Sequence, residues 1–206
     1  MTDVPPTRLT DRKRAAILKA ATIEFCARGF DNTSMNAIAE AAEVSKRTVY
    51  NHFPSKESLF SAIVDKSISR CGEMVEYPLD PGETLENQLT RIGQSAIRLF
   101  TLDDFQDLAR VVFSRFLQSP ELAHSFVAES GNPEIGVVKW VEAAHAAQRL
   151  DVQDPIMAGK QFVALISSFA FWPQVIGNHP PLSESEQEAV IRSAVEMFLS
   201  CYAKEP

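Results

Sequence analysis

The chain has 206 residues, of which 45% are hydrophobic and 23% charged, and its mean hydropathy is −0.09. These figures describe a folded chain large enough for its own core, and they exclude disordered and collagen-like sequences. The net charge is −7, which would disfavour a polyanionic partner if it were evenly spread.

It is not evenly spread. Residues 1–56 hold nine Lys/Arg against six Asp/Glu, a balance of +3, and the remainder holds eleven against twenty-one, a balance of −10. A basic N-terminal quarter on an acidic remainder suggests one domain that meets a polyanion and one that does not. The best apolar stretch, Phe162 to Phe171, is too short to span a bilayer, so no membrane partner is expected. Met1 to Arg14 is polar and contains proline, without the apolar segment of a signal peptide. Cys26, Cys71 and Cys201 form no CxxC pair, which favours a reducing, cytoplasmic location. Cys26 and Cys201 read as small apolar core residues.

The pattern is helical nearly throughout, with apolar groups at three- and four-residue spacing and no alternating run ended by hairpin turns. A first helix runs from about Thr10 to Arg28, with Ile17, Leu18, Ala21 and Phe25 inward. Gly29 ends it in a left-handed conformation, and Phe30 packs back on Phe25. Thr33 and Ser34 are capping candidates for a second helix over 35–42. A short break at Glu43-Val44 precedes Ser45, which caps a third helix over 46–53. Pro54 stops it, and Ser55 caps a fourth from Lys56 to about Glu76. Tyr77 to Gly82 is a breaker. Further helices are expected near 83–101, 103–117, 120–129, 133–149, 154–172 and 184–203. Pro120, Pro133 and Pro155 suit first helical positions. Ser183 with Glu186 forms a capping box for the last helix. Trp172 to Pro181 reads as the longest loop.

The segment TSMNAIAEAAEVSKRTVYNHFPSK, Thr33 to Lys56, is two short helices joined by a tight turn. Ala39 is small where the helices cross, and Val44 and Val49 are apolar pegs that fix their angle. This is the logic of a helix-turn-helix whose second helix enters the DNA major groove. Lys46 and Arg47 suit guanine edges or phosphate, Asn51 an adenine edge, and Thr48 a phosphate or a thymine methyl. Tyr50 and His52 are phosphate donors. Thr33, Ser34 and Ser45 stand at helix starts, where free amides favour phosphate. Lys56 is placed to hold the flanking DNA backbone.

On these residues, Ala15 to Phe60 resembles the DNA-binding domain of the TetR family of transcriptional regulators. The match runs through Ile17-Leu18, Ala21, Phe25, Gly29-Phe30, Thr33-Ser34, Ile38-Ala39 and VSKRTVYNHFPSKESLF. The ending FWPQVIGNHPPLSESEQEAVIRSAVEMFLSCYA is similar to the C-terminal domain of the AefR-like branch. Two positions depart from the pattern. Glu43 stands where the family usually has Gly, so the turn either adjusts or carries strain of roughly 1 kcal/mol. Arg47 stands where a small residue is frequent.

The resemblance implies an all-α chain: a disordered arm over 1–9, a helix-turn-helix domain over 10–56, and a ligand-binding and dimerisation domain over 57–206. It implies a homodimer that reads a pseudo-palindromic double-stranded DNA operator, with repression as the usual mode. The last two long helices would pair between subunits through Ile166, Phe169, Ala170, Val190, Ile191, Ala194, Met197 and Phe198. A small hydrophobic or amphipathic effector would enter a pocket lined by Met74, Phe100, Phe113, Phe116, Trp140, Met157 and Phe162.

Other classes fit less well. No GxGxxG, GxSxG, HExxH or Walker-type loop occurs, so the chain does not read as an enzyme, and no cofactor or metal is expected. His124 and His145 with Glu121 or Glu142 read better as separate helical residues than as a metal site. Asp103, Asp104 and Asp107 read as an acidic first helical turn. The alternative function is an all-helical ligand-sensing or protein-interaction module without sequence-specific DNA binding. Such a module would not need Lys46, Arg47, Tyr50 and Lys56 on one side.

Overall fold

The computed structural model describes residues 9–73, 77–129 and 135–204, and the side chains of 9–67, 77–124 and 136–204. Among them are eleven helices and no strand: α1 Leu9–Arg28, α2 Met35–Ala41, α3 Lys46–His52, α4 Lys56–Glu73, α5 Leu85–Phe100, α6 Asp103–Gln118, α7 Pro120–Glu129, α8 Ile135–Ala146, α9 Pro155–Ala170, α10 Trp172–Gly177 and α11 Glu184–Tyr202. The chain is all-α, and no described helix is long and apolar enough to cross a membrane. The expected helices are present, with one addition and one shortening, and the ends expected near Glu76 and at Pro133 lie outside the described residues. The Trp172 to Pro181 loop contains α10, which tolerates Pro173 because it lies in the first turn. Asn178, at φ 51°, ends it. The helix expected over 133–149 stops at Ala146, because Gln148 adopts φ 58°.

The described residues fall into two compact units, one of 9–67 with 107–123 and the other of 68–106 with 124–204. In the first, α1 packs against α2 and α2 against α3, and Ile17, Leu18, Ala21, Phe25, Ile38, Ala39, Val49 and Leu59 are buried. Gly29 takes φ 78°, and its amide closes α1 on the Phe25 carbonyl at 2.9 Å. Phe30 packs back on Phe25 with ring centroids 5.2 Å apart, and on Phe60 at 5.7 Å.

The α2–α3 turn is the strained point of this unit. Glu43 stands at φ 54°. Its amide donates to the Glu40 carbonyl and the Val44 amide to the Ala39 carbonyl, both at 3.0 Å. This paired closure requires a left-handed residue, for which glycine carries no Cβ penalty. The turn therefore keeps its shape, and Glu43 bears the strain.

In the second unit, α9 packs against α5, α8, α10 and α11, and α11 packs against α5. The core includes Leu89, Ile92, Trp140, Phe162, Ile166, Ile191, Ala194 and Phe198. Gly159 lets α8 approach closely, since a Cβ there would lie 2.8 Å from Val138 Cγ2. Buried Gln88 uses its whole amide: Nε2 donates to the carbonyls of Asp80 (2.8 Å) and Glu83 (3.1 Å), while Oε1 accepts from the Asp80 amide (2.9 Å) and Trp140 Nε1 (3.1 Å). Arg149 donates to the same two carbonyls at 3.1 and 2.7 Å, which fixes the turn before α5. The Ser183–Glu186 capping box opens α11.

Glu43→Gly removes the left-handed penalty at the cost of some unfolded-state entropy. It should raise stability by roughly 0.5–1 kcal/mol, read as a higher urea midpoint. A lower midpoint would show that Glu43 holds the turn through its side chain.

Candidate nucleic-acid interface

Two serines define the starts of the paired helices. Ser34 Oγ accepts from the Ala37 amide at 3.1 Å and Ser45 Oγ from the Thr48 amide at 3.0 Å. Ser45 Oγ also pairs with Thr48 Oγ1 at 2.8 Å, so the first turn of α3 is locked at both its hydroxyls. Val49 is fully buried and Phe53 nearly so, and the Arg14 guanidinium lies 5.1 Å from the Phe53 ring centroid. With Val49 inward, Lys46, Arg47, Tyr50 and Asn51 are exposed on the rest of α3, and Thr48 and His52 are half-buried. Lys46 Nζ lies 5.9 Å from the Tyr50 ring centroid. A seven-residue helix with this set of donors has the size and chemistry to read base edges in a major groove. Asn36, exposed in the first turn of α2, adds an amide that the sequence analysis did not single out.

Two of the expected contacts point elsewhere. Thr33 is 3% exposed, and its hydroxyl is directed at the carbonyls of Glu24 (3.1 Å) and Gly29 (2.8 Å). It secures the end of α1 and offers no side chain to a polyanion. Lys56 Nζ donates to the carbonyls of Phe30 (2.7 Å), Asp31 (3.2 Å) and Thr33 (3.1 Å). It also lies 4.5 Å from the Phe30 ring centroid. An ammonium has three donors, and all three are occupied by the α1–α2 corner. In this structure the ammonium is directed at the fold, where a hold on the flanking DNA backbone is expected from the sequence.

Among the described residues of the second unit, the expected pocket residues line no common cavity. Trp140 and Phe162 are 1% exposed. Trp140 is spent on Gln88, and Phe162 packs edge-on to Phe198 at 5.4 Å. Phe100 packs tilted on Phe171 at 4.9 Å and stacks with Phe105 at 6.4 Å. Phe113 and Phe116 are half-buried in the first unit. Met157 faces outward in a groove of about 390 Å³. Met74 lies outside the described residues.

The expected pairing residues divide. Ile166, Ala170, Ile191, Ala194 and Phe198 are buried within the chain itself, so they are intrachain core. Val190 is half-buried, and Phe169 and Met197 are more than half exposed. The exposed pair borders a groove of about 450 Å³ that Leu165, Gln161, Cys201 and Tyr202 also line. Cys201, expected in the core, is therefore at the surface. Cys26 is also an exposed residue, although its thiol donates to the Asp107 carbonyl at 3.4 Å. Burial of the sulfur and the nearby Asp107 charge push that thiol up to about 11. It stays protonated at neutral pH and is a poor nucleophile.

Comparison with known proteins gives two family matches. Residues 17–63 match the bacterial regulatory proteins of the tetR family, and residues 87–204 match the C-terminal domain of the AefR-like transcriptional repressors. A crystal structure of a TetR family transcriptional regulator from Pseudomonas syringae pv. tomato str. DC3000 is 44% identical, with TM-score 0.83, covering 96% of this chain and 100% of that one. The flavonoid-responsive regulator FrrA is 29% identical, with TM-score 0.74, covering 95% and 100%. The transcriptional regulator AcrR of Shigella flexneri is 35% identical over 89 residues, 41% of each chain. The chain spans 59% of the length of another curated relative, YhgD of Bacillus subtilis.

Replacing Lys56 by Ala strips three carbonyls of a charged donor. It should lower the unfolding free energy by about 1–3 kcal/mol, measured by urea titration. A variant as stable as the parent would mean that water replaces the ammonium at no cost.

Proposed function

The chain belongs to the TetR family of bacterial regulatory proteins, and on that premise we propose that it is a transcriptional repressor. It binds a pseudo-palindromic operator as a homodimer and leaves it when a small hydrophobic or amphipathic ligand occupies the larger helical domain. The observation that carries the reading is α3. It is capped by Ser45 and pegged by Val49, and it exposes Lys46, Arg47, Tyr50 and Asn51. The +3 balance of residues 1–56 in a chain of net charge −7 supports the same reading. Ser34 and the free amides of the first turn of α2 are suited to phosphate, and Arg47 and Asn51 to base edges.

Repression is supported by the AefR-like repressor domain that matches residues 87–204. A homodimer is supported by the apolar outer side of α9 and α11, where Phe169 and Met197 are 57% and 54% exposed beside Leu165. A second copy on a two-fold axis would cover that side and supply one α3 helix for each half-site. An effector is supported by the likeness to a flavonoid-responsive regulator. Since Trp140 and Phe162 are close-packed, effector entry requires those side chains to move. DNA affinity then falls only as far as the ligand prefers the opened state.

Two measurements test the reading. Selection from random duplex DNA, repeated at raised salt, should enrich a pseudo-palindrome. Arg47→Ala should relax preference at one position of each half-site by ~1–3 kcal/mol. Binding that vanishes with salt on every sequence would leave only backbone electrostatics, and weight would pass to a helical sensing module without an operator. For the assembly, Phe169→Glu should convert a dimer to a monomer in sedimentation equilibrium with helix content retained. A persisting dimer would place the interface elsewhere.

A further inference from the structure

The helix-turn-helix corner is held by a second cation from outside its own motif. Arg115, on α6, places its guanidinium carbon 4.5 Å from the Phe30 ring centroid, the same distance as Lys56 Nζ. Its Nη1 lies 3.8 Å from Asp31 Oδ1. The Arg115 side chain is 21% exposed and that of Asp31 70%. Nε is buried without a hydrogen-bond partner among the described residues. The long, solvent-facing ion pair contributes little. The sheltered cation over an aromatic face is the stronger contact, and it is what offsets the desolvation of the guanidinium.

Phe30 is the residue through which this contact acts. Its ring rests on Phe25 and Phe60, and its carbonyl accepts from Lys56. Three residues later, the Thr33 carbonyl accepts from the same ammonium, and Ser34 caps α2. A displacement of Arg115 is thus felt first at Phe30 and next at the start of α2. We propose that Arg115 is a positioning residue for DNA binding: it touches no DNA, and it fixes the α1–α2 corner so that the first turn of α2 and the α3 helix behind it stand in register with the duplex. This rests on the DNA-binding reading above and assigns α6 a role in it.

The test uses the full chain with Arg115→Gln, near-isosteric and uncharged, and Arg115→Lys, which keeps a cation for the ring. In the free protein, Arg115→Gln should speed hydrogen exchange of the Ala37 and Ile38 amides, both bonded to Ser34, about 3- to 30-fold, the range expected for a lost cation–ring contact. It should raise the Kd for the selected duplex by a similar factor, with the slope of log K against log salt unchanged. Arg115→Lys should recover both to within roughly threefold. The proposal is overturned by an unchanged Kd in Arg115→Gln, or by a slope reduced by about one per subunit, which would make Arg115 a phosphate contact. It is also overturned by general loss of helix, which would make its role merely structural, or by Arg115→Lys behaving as Arg115→Gln. A wild-type chain that enriches no duplex overturns the DNA-binding reading and the positioning role with it. In that case the exchange measurement still reports whether Arg115 holds the corner.

Discussion

The ammonium of Lys56 fills the corner between α1 and α2 and satisfies three backbone carbonyls that face it, those of Phe30, Asp31 and Thr33. Carbonyls brought together in this way repel one another and lose water, so a point charge with three donors is the economical solution. An Arg at this position has a flat fork that does not match three carbonyls converging on one atom. From this corner the rest of the head follows. Thr33 is drawn inward, Ser34 is left to cap α2, and the turn at Glu43 swings α3 so that only Val49 is buried among its seven residues.

Rigidity in α3 comes from its ends more than from its sequence. Seven residues are too few to hold a helix by propensity. The Ser45 cap, the Ser45–Thr48 hydroxyl pair and the closure of Phe53 on the Val49 carbonyl supply what the length lacks. Glu43 illustrates the same priority of geometry over local preference. The paired hydrogen bonds to Glu40 and Ala39 hold a left-handed residue there although it carries a Cβ. The second unit shows a different economy. α9 and α11 each bury one apolar side in the chain and leave Phe169 and Met197 exposed on another.

Much of this was legible in the residues. The Gly29–Phe30 reversal, the Ser34 and Ser45 caps, the strain at Glu43 and the Ser183–Glu186 box all depend on local backbone chemistry, which a sequence records directly. What was lost is directional. A hydroxyl at position 33 reads the same whether it faces water or the Glu24 carbonyl, and only the path of α1 decides. From sequence Lys56 reads as a hold on the flanking DNA backbone, because the carbonyls that it meets lie over twenty residues away. Helical periodicity marks Ala194 and Ile191 as apolar positions but not which neighbour covers them; both are buried within the chain, where α11 packs on α5 and α9. The helix α10 was hidden by Pro173 and by the proline pair that follows it.

Two lysines divide the labour: Lys46 is exposed on α3, where we propose that it meets the duplex, and Lys56 donates to three carbonyls of the fold. Acetylation of the intact chain with a small amine-reactive reagent, followed by mass spectrometry with and without the selected duplex, separates the two. Lys46 should react readily in the free protein and be protected by DNA, while Lys56 should react slowly in both states. A Lys56 that reacts as fast as Lys46 in the free protein and becomes protected only on DNA would contradict that division, and would return that ammonium to the phosphate backbone.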